Sequence, residues 1–355
     1  MKKTILILML AAISESSVHA QWQKQTSPTT STLNDVYFAD AKRGMAVGAK
    51  GTIIKTSNGG ASWQLMNSPT SDDLVSVYMA DSLNVFMTSA GTSGSSAVYK
   101  SVNGGQSWTK SLSDLQPFYI TGTPNGKLFS ESRSIYESSN LGTGWTNRAL
   151  INSTSVYTHI SFADNNTGMA VGNISGILNY STDFMRSEDG GRTWYRGYPF
   201  SFPNDNSFTA MNSLNADSVF MFTNFPKVFQ EGDTSQLILM TGFKLAIHGG
   251  PEEYEFKSTI VVKKFADKIR DCKFFTSRVA YAAGDKGIIY ASKDGGKNWK
   301  ADYKGNTSLK ALFMFNEGRG FAVGDKGLIL KRSLPEPIEQ KQNAGKIFPV
   351  IEAVE

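Results

Sequence analysis

Six basic residues of this chain occupy equivalent places in a repeated Gly-rich pattern. Each of three arginines precedes a short segment of small residues such as Gly-Met-Ala-Val-Gly, and each of three lysines follows one. A guanidinium makes planar, two-point contacts with carboxylates, so the arginine row is the better candidate for binding a protein or another acidic ligand. The alternative is that exposed turns carry charge for solubility. The residues are Arg43, Arg278, Arg319, Lys50, Lys286 and Lys326.

The other residues that could do chemistry form no recognisable site. Beyond the first twenty residues the histidines are His159 and His248, which are far apart and have no Cys or acidic partners at metal-ligand spacing. Cys272 is the single cysteine, and such a residue is more often a small buried hydrophobe than a nucleophile. Two Gly-Asp-Lys-Gly segments lack the Gly-Lys-Ser/Thr ending of a phosphate loop. We therefore expect no catalytic residue, no metal and no cofactor.

The elements that must position the basic residues include an octapeptide that occurs five times. Its pattern is Ser/Thr-x-Asp/Asn-x-Gly-x-x-Trp, here called the Asp-box. The Asp or Asn side chain can bond backbone N–H groups of its own turn, the Gly supplies a positive φ, and the Trp opens the next strand with a ring to bury. These residues are therefore interpreted as structural: Asn58, Trp63, Asn103, Trp108, Asn140, Trp145, Asp189, Trp194, Asp294 and Trp299, with Trp22 as the one tryptophan outside a box.

Upstream of several boxes lies a second element, a pair of strands joined by a Gly-rich turn. Gly44–Gly51 and Gly320–Gly327 show it clearly, each preceded and followed by an apolar segment with strand character. One repeat is thus four antiparallel strands, with the arginine at the first turn and the lysine at the second. Such a repeat is a propeller blade, and successive turns of a blade lie on opposite faces.

The spacing of the tryptophans counts the blades. The first four intervals, from Trp22 to Trp194, are 41, 45, 37 and 49 residues, and the last is 105 residues and so holds two blades. Within it, Ile247–Tyr254 reads as a decayed box. The final repeat, 308–333, has no tryptophan, and the segment around Trp22 supplies its missing strand. We predict an all-β fold: a single seven-bladed propeller of four-stranded antiparallel blades, closed by the N-terminal strand.

The first twenty residues are predicted to be a secretory signal. Two lysines precede an apolar stretch, 4–13, that is shorter than the ~20 residues of a membrane span, and Val18-His19-Ala20 is a plausible cleavage site. The competing interpretation is an uncleaved membrane anchor. We predict three segments: 1–20 (signal peptide), 21–333 (propeller) and 334–355 (C-terminal tail). No cysteine directly follows the apolar stretch, so a lipoprotein anchor is not expected, and no later segment is apolar enough to cross a membrane. We therefore expect a periplasmic or secreted protein.

The combination of a Gly-x-Ala-Val-Gly-x-x-Gly strand pair with Asp-Gly-Gly-x-x-Trp resembles the photosystem II stability/assembly factor family. The resemblance covers most of the chain after residue 20 and is clearest in blades one, four, six and seven, while blade five departs from it. Members of that family are seven-bladed propellers of the thylakoid lumen or, in bacteria, of compartments outside the cytoplasm. The resemblance implies a protein that catalyses no reaction and helps assemble a membrane complex by holding a partner. It does not carry over the identity of that partner.

Two function classes remain open at this stage. The first is a non-enzymatic scaffold that acts as a monomer and binds a protein, with a membrane or envelope complex as the candidate partner. The second is a carbohydrate-active propeller, either a sialidase-like hydrolase or a glycan-binding module, because both share the Asp-box. Inward-facing carboxylates with aromatic platforms would favour the second class, and a flat charged face would favour the first. A nucleic-acid partner is not expected, since the formal net charge of +5 is small and dispersed.

Overall fold

The chain folds as a ring of four-stranded antiparallel sheets. The computed structural model describes residues 21–91, 96–113, 119–131, 134–148, 155–174, 181–197, 207–224, 235–247, 252–265 and 267–333. Seven sheets occur among these residues, each in the order expected for a propeller blade. The predicted signal peptide, 1–20, and C-terminal tail, 334–355, lie outside the described residues and stay predictions.

The strands of the first four blades run outward from the central channel in chain order. Blade one is β2 (Leu33–Phe38), β3 (Gly44–Gly48), β4 (Thr52–Thr56) and β5 (Gln64–Leu65), and blade two is β6 (Asp73–Met79), β7 (Val85–Ala90), β8 (Ala97–Ser101) and β9 (Thr109–Ser113). Blade three is β10 (Ile120–Gly122), β11 (Leu128–Glu131), β12 (Ile135–Ser138) and β13 (Thr146–Asn147). Blade four is β14 (Ser155–Phe162), β15 (Gly168–Ile174), β16 (Ser181–Ser187) and β17 (Tyr195–Arg196). Two single-turn 3₁₀ helices, Ala49–Gly51 and Asp325–Gly327, join the second and third strands of blades one and seven.

The last three blades include one irregular member and the closing blade. Blade five is β18 (Ser207–Asn215), β19 (Ser218–Asn224), β20 (Ser235–Ile247) and β21 (Glu252–Phe265); blade six is β22 (Ile269–Phe274), β23 (Ala280–Gly284), β24 (Ile288–Ser292) and β25 (Lys300–Lys304); blade seven is β26 (Leu309–Asn316), β27 (Arg319–Gly324), β28 (Ile329–Ser333) and β1 (Gln21–Lys24). The N-terminal strand therefore completes the C-terminal blade, as predicted.

The five Asp-boxes form the turns between the third and fourth strands of their blades. In every box the Asp or Asn oxygen accepts a hydrogen bond from the backbone N–H of the residue before the Trp, at 2.8 or 2.9 Å. The Ser or Thr hydroxyl accepts one from the second glycine position, also at 2.8 or 2.9 Å. The boxes thus satisfy their own backbone donors within tight turns.

The apolar core lies between neighbouring blades rather than inside any one of them. Trp63 of blade one is buried against Phe38 and against Phe321 of blade seven, with ring centroids 5.9 and 6.0 Å apart. Gly60 must be a glycine there, because its φ is 78° and an added Cβ would lie 2.4 Å from the Phe321 ring. Each Asp-box therefore also spaces its blade from the preceding one.

Blade five differs from the decayed box that the sequence suggests. Its outer strands β20 and β21 are 13 and 14 residues long and form an irregular hairpin with several register shifts. Tyr254, placed at the Trp position by the sequence, instead pairs within that hairpin with Leu245. The turn itself, 248–251, lies outside the described residues. The lengthened strands explain why no box-like spacing is visible in this part of the chain.

The ring closes through one partly buried polar cluster as well as through backbone pairing. Strand β1 pairs with β28, and the Trp22 indole N–H donates to Asp302 of blade six at 2.8 Å. Arg332, opposite Trp22 in β28, forms an ion pair with the same carboxylate and lies over the rings of Trp22 and Tyr281. Asp302 therefore joins the N-terminal strand, the last strand and the preceding blade.

Replacement of Asp302 by Ala should destabilise the ring, because it leaves the buried Arg332 guanidinium without its carboxylate. Breaking a fully buried ion pair costs ~3–5 kcal/mol, and about 2 kcal/mol is expected here because Asp302 retains a quarter of its side-chain exposure. Urea unfolding followed by tryptophan fluorescence measures the change in the free energy of unfolding. The control is Arg43→Ala, which removes an exposed ion pair worth ~0–1 kcal/mol. Equal losses in the two variants would contradict a closing role for Asp302.

Candidate functional site

The predicted arginine row lies on one face of the propeller. Arg43 and Arg278 lie in the turns between the first and second strands of blades one and six, and Arg319 is the first residue of the second strand of blade seven. The Asp-box turns lie on the same side, since Gly59 N–H donates to the Lys42 carbonyl at 2.8 Å and Gly295 N–H to the Arg278 carbonyl at 2.9 Å. We call the side formed by these two sets of turns the arginine face.

The three arginines have different surroundings. The half-exposed Arg43 forms an ion pair with Asp40, at 2.7 Å, within its own turn. Arg319 donates to the Ala41 carbonyl of blade one, at 3.1 Å, and its guanidinium lies 5.2 Å from the Phe315 ring centroid. Arg278 is exposed. Blades seven and one are thus linked directly through the arginine row, while the charge of Arg43 is partly neutralised.

The predicted lysine row lies on the opposite face, in the turns between the second and third strands. Lys50 and Lys326 adopt positive φ angles of 56° and 57°, a conformation that costs energy for any residue with a Cβ. Aspartates hold two of the turns: the Lys50 N–H donates to Asp73 at 2.8 Å, and the Lys286 N–H to Asp267 at 3.1 Å. We call this side the lysine face. Its lysines stand among carboxylates, so the row is less positive than the sequence alone suggests.

The innermost strands of all seven blades line a central channel of about 380 Å³. At its lysine-face end lies an ion network that the sequence did not reveal. Arg270 makes two hydrogen bonds to Asp285, at 2.8 and 2.7 Å, and Lys310 lies 3.5 Å from Asp325 and 3.8 Å from Asp285. Burial raises the pKa of Asp285, but the hydrogen bonds from Arg270 and Ser308 outweigh it and leave that pKa below its usual value.

Arg270 and Lys310 could have been found by aligning the first strands of the blades. Each directly follows the first buried residue of its strand, the place held by Asn34 in blade one. The signal for them is a basic residue at a channel-lining position of two adjoining blades, whereas the predicted rows lie in the turns. Carboxylate partners occupy both basic residues, and Lys310 of blade seven lies between Asp325 of its own blade and Asp285 of blade six, so the network first joins these two blades.

Two carboxyl groups, Asp35 and Asp271, are set into the channel wall. Asp35 accepts hydrogen bonds from Ser76 and from the Val77 N–H of the next blade, at 2.9 and 2.8 Å. Asp271 accepts one from the Leu312 N–H of the next blade, at 2.8 Å. Both residues retain some exposure, yet their carboxyl groups are enclosed. Burial raises the pKa of Asp35 to about 6 and that of Asp271 to about 7, partly offset by these hydrogen bonds.

The remaining residues of chemical interest have structural surroundings. The imidazole of His159 stacks on Tyr119 with centroids 5.2 Å apart, and burial lowers its pKa to about 4. Cys272 is buried, which raises the pKa of its thiol. His248 lies outside the described residues. Within the described ranges, no group of three or more His, Cys, Asp or Glu side chains could hold a metal ion.

Comparison with known proteins identifies the family. The family model described as "Photosynthesis system II assembly factor YCF48" matches residues 14–155 and 227–333, which is more than half of the chain. The chain belongs to this family. The unmatched segment, 156–226, contains nearly all of blade four, so the prediction that blade four is among the clearest matches was wrong. Its Gly-Met-Ala-Val-Gly segment, 168–172, and its Asp-box, 187–194, keep the repeat pattern, although the family model does not extend over them.

Similar proteins agree with the fold of this YCF48-family chain. The photosystem II stability/assembly factor HCF136 of Arabidopsis thaliana is 23% identical over 340 residues, which cover 88% of this chain and 79% of the relative. A structure described as YCF48 bound to D1 peptide superposes with a TM-score of 0.63 at 20% identity, covering 89% of this chain and 99% of the other. The GH74 xyloglucanase of Xanthomonas campestris reaches 0.61 at 14% identity, covering 89% of this chain and 54% of that one.

No helix in the described ranges has the length and apolar character needed to cross a membrane. The predicted basic rows lie in blades one, six and seven. Their role in binding stays a prediction, as does the absence of a cofactor. What the structure adds is their placement: the arginines and the lysines occupy opposite faces of the same three contiguous blades.

The raised pKa of Asp271 predicts a pH-dependent stability that Asn should remove. The pKa of Asp271 is higher in the folded protein, about 7, than in the unfolded chain, near 3.9. Its protonated form therefore stabilises the fold at low pH, and this contribution is lost as pH rises from about 4 towards 7. The difference in unfolding free energy between the protein and Asp271→Asn should therefore shrink from pH 5 to pH 8. Urea midpoints at the two pH values measure it, and a difference that grows with pH would contradict the prediction.

Asp294 provides the matched control for that measurement. Its pKa is lowered to about 2, chiefly by the hydrogen bond from the Asn298 backbone, so it stays ionised between pH 5 and 8. Asn occupies the same Asp-box position at Asn58, Asn103 and Asn140, so Asp294→Asn should be tolerated. Its effect on stability should be the same at both pH values.

Proposed function

We propose that this chain is an exported, non-enzymatic assembly factor that binds an acidic segment of a protein partner on its arginine face. The observation that carries the proposal is the placement of Arg43, Arg278 and Arg319 at equivalent turns of three adjoining blades. Arginine is suited to such a role because its planar donors match carboxylates in a two-point geometry. Membership of the YCF48 family supports the proposal, as does the structural neighbour that binds a peptide.

The environment of the channel carboxyls favours a non-enzymatic role. Glycoside hydrolysis needs one carboxyl group to donate a proton and a second to act as base or nucleophile. The oxygens of Asp35 and Asp271 instead accept backbone N–H groups of their own and the adjacent blades. A substrate would have to compete with those hydrogen bonds, and losing them would loosen two blade interfaces.

A carbohydrate-binding role is the second candidate. Tyrosines and two carboxyl groups line the channel, and xyloglucanase propellers share the fold. That likeness is at 14% identity and supports the architecture alone. We rank this candidate second because the arginine row has no role in it and because the channel carboxyls already have partners.

The proposed binding surface can be tested by reversing charge on either face. The triple variant Arg43→Glu, Arg278→Glu and Arg319→Glu should lose its partner, because repulsion replaces the arginine–carboxylate contacts. The matched control reverses Lys50, Lys286 and Lys326, which alters charge by the same amount on the opposite face of the same blades. Pull-down from solubilised envelope with the exported protein, followed by cross-linking mass spectrometry, compares them.

Support requires a protein that is retained by the lysine variant, lost by the arginine variant, and cross-linked through a segment rich in Asp and Glu. Both variants must match the parent protein in thermal melting. Loss with the lysine variant alone would place the partner on the other face and overturn the proposal. Retention of only glycans or glycan carriers would instead favour the carbohydrate-binding role.

Export makes a separate prediction about the N-terminus. The protein recovered from outside the cytoplasm should begin at Gln21, because cleavage after Val18-His19-Ala20 removes the apolar segment. Intact-mass measurement and N-terminal sequencing of that fraction test it. Recovery of the chain in the membrane fraction with Met1 or the apolar segment still present would support the anchor instead.

A further inference from the structure

One level of the channel is divided into an aromatic half and a polar half. The level is defined by seven residues that occupy the same register in the innermost strands, each paired with the second strand at an equivalent place. All seven line the channel near its arginine-face mouth. Blades seven, one and two contribute Phe313, Tyr37 and Tyr78, and blades three to six contribute Thr121, Ser161, Asn212 and Lys273.

The aromatic half continues without a break to the arginine row. Tyr37 lies between Tyr78 and Phe313, with ring centroids 5.0 Å from each. Phe313 in turn lies 5.0 Å from Phe315, over which the Arg319 guanidinium stands at 5.2 Å. Together these residues form a band from the channel interior to a cation on the arginine face, here called the aromatic band.

The aromatic band is available to a ligand. Tyr37, Phe313 and Phe315 are only partly buried, although each belongs to a strand of the core blades. Among the described residues, the hydroxyls of Tyr37 and Tyr78 have no hydrogen-bond partner, and both rings line the channel. Large apolar side chains that are left partly exposed beside a cavity are a common mark of binding sites.

The volume of the channel and the charges around it restrict the kind of ligand that it can bind. A cavity of about 380 Å³ is at the small end of the ~300–1,000 Å³ typical of ligand pockets, so it can take one large side chain but not a folded element. Arg319 stands over Phe315 at the end of the aromatic band, Arg43 follows the innermost strand of blade one, and Lys273 is the one charged member of the seven-residue level. These charges are complementary to a peptide with carboxylates next to an apolar residue.

We propose that the arginine-face mouth of the channel is a specificity pocket, which receives one large apolar side chain of an acidic peptide segment against the aromatic band. This inference rests on the proposed function, because the flanking carboxylates of the same peptide are held by the arginine row. A glycan fits the pocket less well, since the enclosed Asp35 and Asp271 oxygens already accept backbone hydrogen bonds. The apolar anchor selects the segment, and the arginines orient it.

The test begins with a displayed library of random dodecapeptides, selected on the purified exported protein. Enriched peptides should combine at least two Asp or Glu residues with one aromatic or large aliphatic residue. The most enriched peptide is then synthesised with a fluorescent label, together with a twin in which Gly replaces the apolar residue. Fluorescence anisotropy should show that the twin binds at least about tenfold more weakly, as expected for loss of a buried anchor.

Two variants locate that anchor in the channel. Thr121→Trp adds a large ring at the polar side of the same level and should obstruct the pocket, weakening binding of the labelled peptide about tenfold or more. Thr209→Trp is the matched control, because Thr209 lines the same channel nearer the lysine face. Its effect should stay below about threefold. The Gly twin should bind Thr121→Trp and the parent protein equally, because the two changes remove one shared interaction.

The outcomes separate this inference from the proposed function. Acidic peptides that bind through the arginine row without any apolar preference, and that bind Thr121→Trp as well as the parent protein, would overturn the pocket alone. Peptides that bind equally well after the triple arginine reversal, or a selection without acidic peptides, would overturn both. Should Thr121→Trp fail to fold, Phe313→Leu removes one ring of the band, and the Gly twin still measures the anchor on the unmodified protein.

Discussion

Four backbone pairs between the first and last strands hold the ring together. Strand β1 pairs with β28 from Gln21–Ser333 to Lys24–Leu330, and the cluster of Trp22, Arg332 and Asp302 ties that seam to blade six. A propeller blade has no extensive core of its own, because its apolar residues pack against the next blade. Without this closure, blades six, seven and one would expose apolar faces and unpaired strand edges.

The channel depends on that closure in a second way. Polar side chains of its wall accept hydrogen bonds from backbone N–H groups of the next blade: Asp35 from blade two, Asn212 from blade six and Asp271 from blade seven. A carboxylate in such a place costs desolvation free energy that two N–H donors offset only in part, which is why the pKa values are raised. A protein that used these carboxyls for catalysis would weaken its own ring, because the same oxygens would have to give up their hydrogen bonds to the next blade.

The repeated residues allowed the fold to be predicted. The structure and role of residues that vary between blades were harder to predict. Every Asp-box solves the same local problem in the same way, so five copies with Trp in register were enough to count blades and to predict closure by the segment around Trp22. Blade five was only partly predictable, because its long hairpin replaces a tight turn by strand pairing over distances that no local motif encodes. Arg270 and Lys310 were missed for a different reason: they lie at channel-lining positions of the first strands rather than in the turns, and pairing with the second strand of the same blade brings each one to its carboxylate partner, Asp285 or Asp325.

The two charged rows differ in how far the repeat itself explains them. The turn that carries Lys50 is held by Asp73 from the start of the next blade, so a lysine there belongs partly to the turn's own electrostatics. The arginines have no such shared role: one pairs within its turn, one lies over an aromatic ring and bonds the neighbouring blade, and one is exposed. Residues at equivalent positions with unlike local contacts are not explained by the repeat itself. The arginine face, where the aromatic band also opens, is therefore the surface on which we propose that a peptide with complementary charge and one apolar side chain binds.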